Sequence, residues 1–229
     1  MKILGIDTSG KIASVAITDG DRVLWEKSVY TKLTHSQVIL PMVKQALEEC
    51  ELSFADLDCA AAANGPGSYT GLRIGIGAVK GMCLGCESLK CAGVSTLLAL
   101  AYNNISYIGK IVSVMKARPK IVYAGIFQSD GEKISRIDKD KIADEEEIFT
   151  ALKGEKFLLT GDYAKDIKEK YFSDDCNVIC AGPSQILQKA SSVCLAVEKD
   201  PQTITEGDKL EVSYLQATKA EKDKAHRDQ

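Results

Sequence analysis

Asn64-Gly65-Pro66-Gly67-Ser68-Tyr69-Thr70-Gly71-Leu72-Arg73-Ile74-Gly75 opens a segment with a glycine at nearly every helical turn: Gly71, Gly75, Gly77, Gly81 and Gly85. A glycine inside a helix costs about 1 kcal/mol against alanine. Such a run persists only where something is gained, and what glycine offers is close approach of another backbone. On a 3.6-residue period Leu72, Ile76, Val79 and Cys83 form one apolar stripe, which predicts contact with a sheet. Gly71, Ile74, Gly75, Gly77, Ala78, Gly81, Met82 and Gly85 form a second, smooth face, with Arg73 and Lys80 at a solvated edge. A helix apolar on two sides is packed on two sides. The second side fits either another helix of this chain or a helix of a partner.

The helix upstream shows the same surplus. Thr34 reads as an N-cap, and in the segment 35–49 Val38, Ile39, Leu40, Met42, Val43, Ala46 and Leu47 cover more than a third of the circumference. Pro41 is expected to kink it by removing one i to i−4 bond. Two helices with more apolar surface than one sheet face needs predict a helical interface. The candidate contact residues are His35, Val38, Met42, Gly71, Gly75, Ala78, Gly81, Met82 and Gly85.

Around these helices the chain repeats itself. Lys2–Asp7, Ile12–Ile17 and Val23–Val29 read as strands, the last two joined by the hairpin signal Asp19-Gly20-Asp21. Then come helix 35–49, strand Cys59–Ala63, the Gly-Pro-Gly loop, helix 70–86, a short strand Lys90–Ala92 and helix 95–104. The second round reads as strands Ile108–Met115, Lys120–Gln128 and Lys133–Ile137, helix Asp144–Leu152, strand Phe157–Thr160 and helix Tyr163–Tyr171. Strand Asn177–Cys180 and helix Pro183–Val197 follow. Two copies of βββαβα predict a duplicated α/β fold, each half on a mixed five-stranded sheet. That is the arrangement of the actin, sugar-kinase and Hsp70-like (ASKHA, RNase H-like) architecture. The expected units are 1–106 and 107–204, the second leaner in helix, with the charge-rich segment 205–229 packing back on the first. Within that segment 210–215 is the apolar patch, and 218–229 reads as frayed helix or disorder.

The 229 residues carry a net charge of −3 and are 45% hydrophobic. The charge shows no overall nucleic-acid footprint. No run approaches ~18 apolar residues, the length of a membrane span. Met1-Lys2-Ile3-Leu4 leads into Gly5-Ile6-Asp7 without a signal-peptide core, so a soluble, cytoplasmic protein is expected. The eight cysteines lie in apolar runs, where Cys acts as a small hydrophobe. Cys83-Leu84-Gly85-Cys86 has C-x-x-C spacing but lies near a helix end, not at the N-terminus that stabilises a thiolate. The two histidines, His35 and His226, make no metal-ligating spacing.

Asp7-Thr8-Ser9-Gly10 closes the first strand, where an actin-like half carries its phosphate loop and acidic residue. These are the candidate nucleotide-binding residues Asp7, Thr8 and Ser9, although Asp before Thr-Ser is equally a turn former. The matching loop of the second half reads Met115-Lys116-Ala117-Arg118. A lysine there reaches phosphate but does not replace a magnesium-coordinating carboxylate, so the cleft reads as degenerate. The loop 65–71 precedes a helix N-terminus yet lacks the Lys-Ser/Thr ending of a Walker loop, and its serine is not in G-x-S-x-G. Thr70 is expected to cap the helix and Arg73 to anchor it.

Ile3-Leu4-Gly5-Ile6-Asp7-Thr8-Ser9, His35-Ser36-Gln37-Val38-Ile39-Leu40-Pro41-Met42 and Asn64 through Gly75 resemble the bacterial TsaB (YeaZ) proteins. Ala117-Arg118-Pro119-Lys120-Ile121-Val122-Tyr123-Ala124-Gly125 resembles their second-domain hairpin, and Tyr214-Leu215 with Ala220-Glu221 their C-terminal segment. Members usually carry an acidic residue where Lys116 stands here. The resemblance implies a non-catalytic subunit without cofactor or metal. It would scaffold and activate TsaD in forming N6-threonylcarbamoyladenosine at position 37 of tRNAs that read ANN codons. The implied partners are TsaD, with TsaE in a ternary complex and a second copy of the chain when TsaD is absent; tRNA is touched only indirectly. The alternatives from other classes are a weak nucleotide-binding ATPase using Asp7 and a protease-like protein acting on TsaD. The family has been labelled glycoprotease-like, but nothing in the sequence has protease spacing.

Overall fold

The computed structural model describes residues 1–30 and 33–215. The frayed tail expected over 218–229, with Ala220, Glu221 and His226, lies outside the described residues. The first half contributes β1 (Lys2–Asp7), β2 (Ile12–Asp19), β3 (Arg22–Tyr30), α1 (His35–Glu49), β4 (Cys59–Gly65), α2 (Tyr69–Gly85), β5 (Lys90–Ser95) and α3 (Thr96–Tyr102). The second contributes β6 (Gly109–Arg118), β7 (Ile121–Ser129), β8 (Ile134–Arg136), β9 (Lys141–Asp144), α4 (Glu145–Ala151), β10 (Phe157–Thr160), α5 (Ala164–Phe172) and β11 (Val178–Cys180). Then follow α6 (Ala190–Lys199) and β12 (Ile204–Thr205). Among the described residues no helix is long and apolar enough to cross a membrane.

Each half builds a mixed sheet of six strands rather than the five expected: β12-β5-β4-β1-β2-β3, and β11-β10-β6-β7-β8 with β9 also on β7. β9 and β12, of four and two residues, were not read from the sequence. β1 runs antiparallel to β2 and parallel to β4, so the end of β1 lies beside the loops that follow β4. Both faces of this sheet are covered. Leu4, Ile6, Ala60 and Ala62 join the core under α1 and α2, whereas Ile3, Ala61 and Ala63 join the core that continues into the second half. The strand period of two residues makes that division. The alanines of β4 leave room for a helix on each side.

α6 follows the last strand of the second half yet packs on the inner face of the first sheet. Ala190 N donates to Ser14 Oγ (2.9 Å), and Cys194 Sγ donates to Ile3 O (3.6 Å). A Cβ on Gly5 would lie 2.5 Å from both Ala190 O and Cys194 Sγ. The helix expected over 183–197 begins only at Ala190. Its first turns are diverted because their carbonyls bind elsewhere: Gly161 N donates to Ile186 O (2.8 Å) and Asn103 Nδ2 to Leu187 O (2.6 Å). Pro41 does not break α1, which runs unbroken for 15 residues. Pro41 and Gln37 are both exposed, so the carbonyl that loses its donor meets water.

Candidate functional site

The glycine-rich helix rides on the end of β1. Thr8 Oγ1 donates to Gly71 O (2.7 Å), and Ser68 N donates to Ser9 O (2.7 Å). A Cβ on Gly71 would lie 2.0 Å from Thr8 O, one on Gly75 2.6 Å from Thr8 Oγ1, and one on Gly67 2.4 Å from Ser9 O. The close backbone approach that these glycines permit is therefore made within this chain. Ser68, not Thr70, caps the helix, its Oγ accepting from Gly71 N (3.2 Å). Arg73 does anchor it: its guanidinium lies 4.1 Å from the Tyr69 ring centre, and Nε donates to Tyr214 Oη (2.8 Å).

This geometry divides the residues expected at a partner interface. Gly71 and Gly75 are buried against the Thr8 loop, and Met42 and Met82 fill the core with Ile39 and Val79. Gly71 and Gly75 face inward because α2 packs closer to β1 than its periodicity revealed, and Met42 and Met82 because α1 and α2 both turn an apolar side into the shared core. His35, Val38 and Ala78 are half-buried, while Gly81 and Gly85 are exposed. Gly77, Gly81 and Gly85 would each carry a Cβ into open space. α1 and α2 lie side by side on one sheet face, and their outer surface also presents Leu84 at 87% and Leu40 at 56% exposure. α1 is closed at its start by Thr34 N donating to Gln37 Oε1 (3.1 Å).

Asp7 is fully buried. Ser9 N (2.9 Å) and Ser9 Oγ (2.6 Å) both donate to its Oδ1, and Oδ2 has no partner among the described residues. Burial pushes its pKa up from 3.8 to about 6, against the opposing pull of the two Ser9 bonds. Thr8 and Ser9 are each 1% exposed. The three residues expected to form a nucleotide loop are thus turned into the fold, with their hydroxyls committed.

At the facing strand end, Met115 is buried and its Sδ lies 3.8 Å from Gln188 Nε2. A Cβ on Gly10 would lie 2.8 Å from the same nitrogen. Gln188, from the diverted segment before α6, therefore sits between the two strand-end loops. Beyond it opens a cleft of about 620 Å³ bordered by Lys11, Tyr30, Lys116, Arg118, Asp162 and Tyr163. Lys116 Nζ lies 4.9 Å above the Tyr163 ring, and Lys116 N donates to Asp162 Oδ1 (3.1 Å). Desolvation holds the Asp162 carboxyl above its ordinary range despite that bond and the charges of Lys11 and Lys116. Sequence reasoning missed Asp162 and Gln188. A signal for Asp162 existed in Gly161, whose φ of +111° and whose virtual Cβ, 2.0 Å from Val114 O, demand glycine.

The cysteines are all free thiols. Burial raises Cys59 and Cys194, the latter to about 12, and Cys83 to about 11. Cys86 Sγ lies 3.3 Å from Ser88 Oγ, and Cys83, with its raised thiol, is not a poised thiolate. Among the described residues no group of three His, Cys, Asp or Glu side chains is placed to hold a metal ion. After β12 the chain runs back along α2. Lys80 Nζ donates to Asp208 O (3.3 Å), Leu210 is buried, Ser213 N donates to Asn64 O (2.7 Å), and Tyr214 stacks on Tyr69 at 5.2 Å.

Residues 30–220 match the family model described as TsaD: tRNA N6-adenosine threonylcarbamoyltransferase. The tRNA threonylcarbamoyladenosine biosynthesis protein TsaB of Bacillus subtilis (strain 168) is 34% identical over 141 residues, which is 62% of this chain and 61% of that protein. The chain thus spans less than two thirds of that relative's length. The protein of the same description from Buchnera aphidicola subsp. Schizaphis graminum is 34% identical over 177 residues, 73% of this chain and 81% of that one. The solved structure of YeaZ from Pseudomonas aeruginosa superimposes with a TM-score of 0.80 at 23% identity, covering 93% of this chain and 99% of that chain. That likeness extends over both sheets and establishes the duplicated actin-like fold.

Proposed function

We propose a role that starts from family membership: the chain belongs to the TsaB (YeaZ) family of tRNA threonylcarbamoyladenosine biosynthesis proteins. In this reading it is a non-catalytic subunit that binds and activates TsaD in forming N6-threonylcarbamoyladenosine at position 37 of ANN-reading tRNAs. TsaE joins the assembly, the chain pairs with itself where TsaD is absent, and the work is done in the cytoplasm. Residues 1–106 together with the returning segment form the partner-binding unit.

The observation that carries the reading is the outer surface of α1 and α2. Gly77 and Gly81 put no side chain between this surface and a facing helix, which lets helix axes approach at or inside the usual 8–10 Å. Leu40 and Leu84 flank them as apolar anchors. A solvated helix gains nothing from this combination, since each glycine costs it about 1 kcal/mol. The non-catalytic part rests on Asp7 and Met115. Magnesium-assisted phosphoryl transfer needs carboxylates and waters around the ion; the first loop spends a carboxylate oxygen on Ser9, and the matching stretch of β6 reads Met115-Lys116, with no carboxylate.

The test is to mix the chain with TsaD of the same organism and measure the mass of the complex by light scattering. Gly81→Leu should abolish the heterodimer while the circular dichroism spectrum stays as in the parent. A complex of unchanged affinity would move the interface off this surface. The unpartnered Oδ2 of Asp7 is the one feature that favours the nucleotide-binding reading. Calorimetric titration with ATP and magnesium decides it: saturable heat that Asp7→Asn removes would replace the scaffold reading.

A further inference from the structure

We infer that the cleft between the two halves is a shallow docking site for single-stranded RNA, held by its phosphodiester backbone. The inference rests on the proposed role in tRNA modification and gives this subunit a direct hand on the substrate. The cleft has the volume of a small-molecule pocket, about 620 Å³, enough for bases of a splayed strand and too narrow for a duplex. Three cations reach it from both halves: Lys11 from the β1–β2 loop, and Lys116 and Arg118 from the end of β6. All three side chains are exposed. Lys11 and Lys116 lie near enough to Asp162 to bias its ionisation, yet neither they nor Arg118 closes an ion pair with a described carboxylate. Tyr30 adds a ring, and Tyr163 a second, one face of which Lys116 already covers. Unpaired cations beside tyrosine rings are what a single strand uses: charge for phosphates, ring faces for unstacked bases.

The floor of the cleft argues against a nucleoside triphosphate. A triphosphate tail would need the amides and hydroxyls of the Thr8-Ser9 loop. These are at most 1% exposed and bonded inward. Gln188 covers Gly10 and meets Met115 Sδ at 3.8 Å, and among the described residues no group of three His, Cys, Asp or Glu side chains is placed to share a magnesium ion. What is left is the cationic rim. Asp162, from the turn before α5, and Asp166, from the first turn of that helix, turn phosphate away from that wall and offer acceptors to base amino groups. The overall charge of −3 does not oppose this, because screening confines each cation's influence to about 8–10 Å.

The test uses the full chain and a fluorescein-labelled short oligoribonucleotide of mixed A and C, read by anisotropy at several salt concentrations. Lys11→Gln/Lys116→Gln/Arg118→Gln should weaken binding at least about tenfold at low salt. Its salt slope, d log K/d log[salt], should shrink by about 2, since each lost single-strand phosphate contact removes about 0.7. A control of equal charge change, Lys133→Gln/Lys153→Gln/Lys156→Gln, should bind as the parent does, and ultraviolet crosslinks should map to Tyr30 or Tyr163. Equal loss in the control, an unchanged slope in the cleft variant, or displacement of the strand by ATP–magnesium at lower concentration than by unlabelled RNA would each overturn the inference. TsaD association is measured on the same proteins. Loss of RNA binding with TsaD binding intact in the cleft variant supports the inference, and a parent that binds TsaD but no RNA overturns it alone.

Discussion

Two identical substitutions in one helix should have opposite effects on stability. Gly71→Ala puts a Cβ 2.0 Å from Thr8 O, about 1 Å inside the closest approach real Cβ atoms show. The helix has little room to retreat, because Thr8 Oγ1 holds Gly71 O and Ser9 O holds Ser68 N, both at 2.7 Å. Overpacking of this kind costs about 1–3 kcal/mol. Losing the Thr8 bond adds about 0.5–1.5 kcal/mol, and alanine's better helix propensity returns about 1 kcal/mol. The net is a destabilisation of roughly 0.5–3.5 kcal/mol. Gly81→Ala meets nothing within 4 Å and keeps only the propensity term, a gain of about 1 kcal/mol. Urea unfolding of the isolated chain, at protein concentrations low enough that the midpoint does not depend on them, measures both. In a chain of this size the melting temperatures should separate by roughly 3–18 °C, at about 2–4 °C per kcal/mol. If Gly71→Ala proves as stable as Gly81→Ala, α2 does not rest on the Thr8 loop, and the division of the glycine face is wrong.

Gly77→Leu should leave the urea midpoint of the monomer within about 0.5 kcal/mol of the parent and raise the Kd for TsaD, or for a second copy, at least about tenfold; sedimentation equilibrium reads both, and unchanged association refutes it. Asp7, whose pKa burial raises from 3.8 to about 6, binds its proton more readily in the folded than in the unfolded chain. Its contribution is complete below pH ~4 and is lost as pH rises through 6, about 3 kcal/mol in all. Asp7→Asn should flatten that slope between pH 4.5 and 6.5, and an unchanged slope refutes the assignment. Among the thiols, exposed Cys176 should react first with a disulfide reagent, whereas Cys59 and Cys194 should react only on unfolding; early labelling of Cys194 would contradict its place on α6 against β1.

Elements with local causes were legible in the sequence. β1, α1 and β10 begin and end where alternation, the Thr34 cap and apolar runs put them. The small-residue face of α2 was also legible, but periodicity shows which residues share a face and not what covers them. Two of its glycines, Gly71 and Gly75, are covered by Thr8, 63 residues before Gly71 in the chain. The same limit hid the cleft: Asp162 and Gln188 acquire their roles only when two distant turns close on the β1 loop. Helix 183–197 was overdrawn because the carbonyls of 186 and 187 serve donors from β10 and α3, competition that no local pattern records.

The chain completes its first sheet with its last helix, and this bears on how it emerges from the ribosome. When residue 106 has been synthesised, the inner face of β1, β2 and β4 has α3 against β4 but still lacks α6. Its cover, α6, ends at Lys199, and the edge of β5 finds β12 only at Ile204. At about 5–20 residues per second of translation, that apolar face and open edge wait on the order of 5–20 s for their partners. A chaperone that binds extended apolar strands has a client in this nascent protein throughout that interval. A chain released early, anywhere between the two sheets, is left with an adhesive surface and no means of covering it.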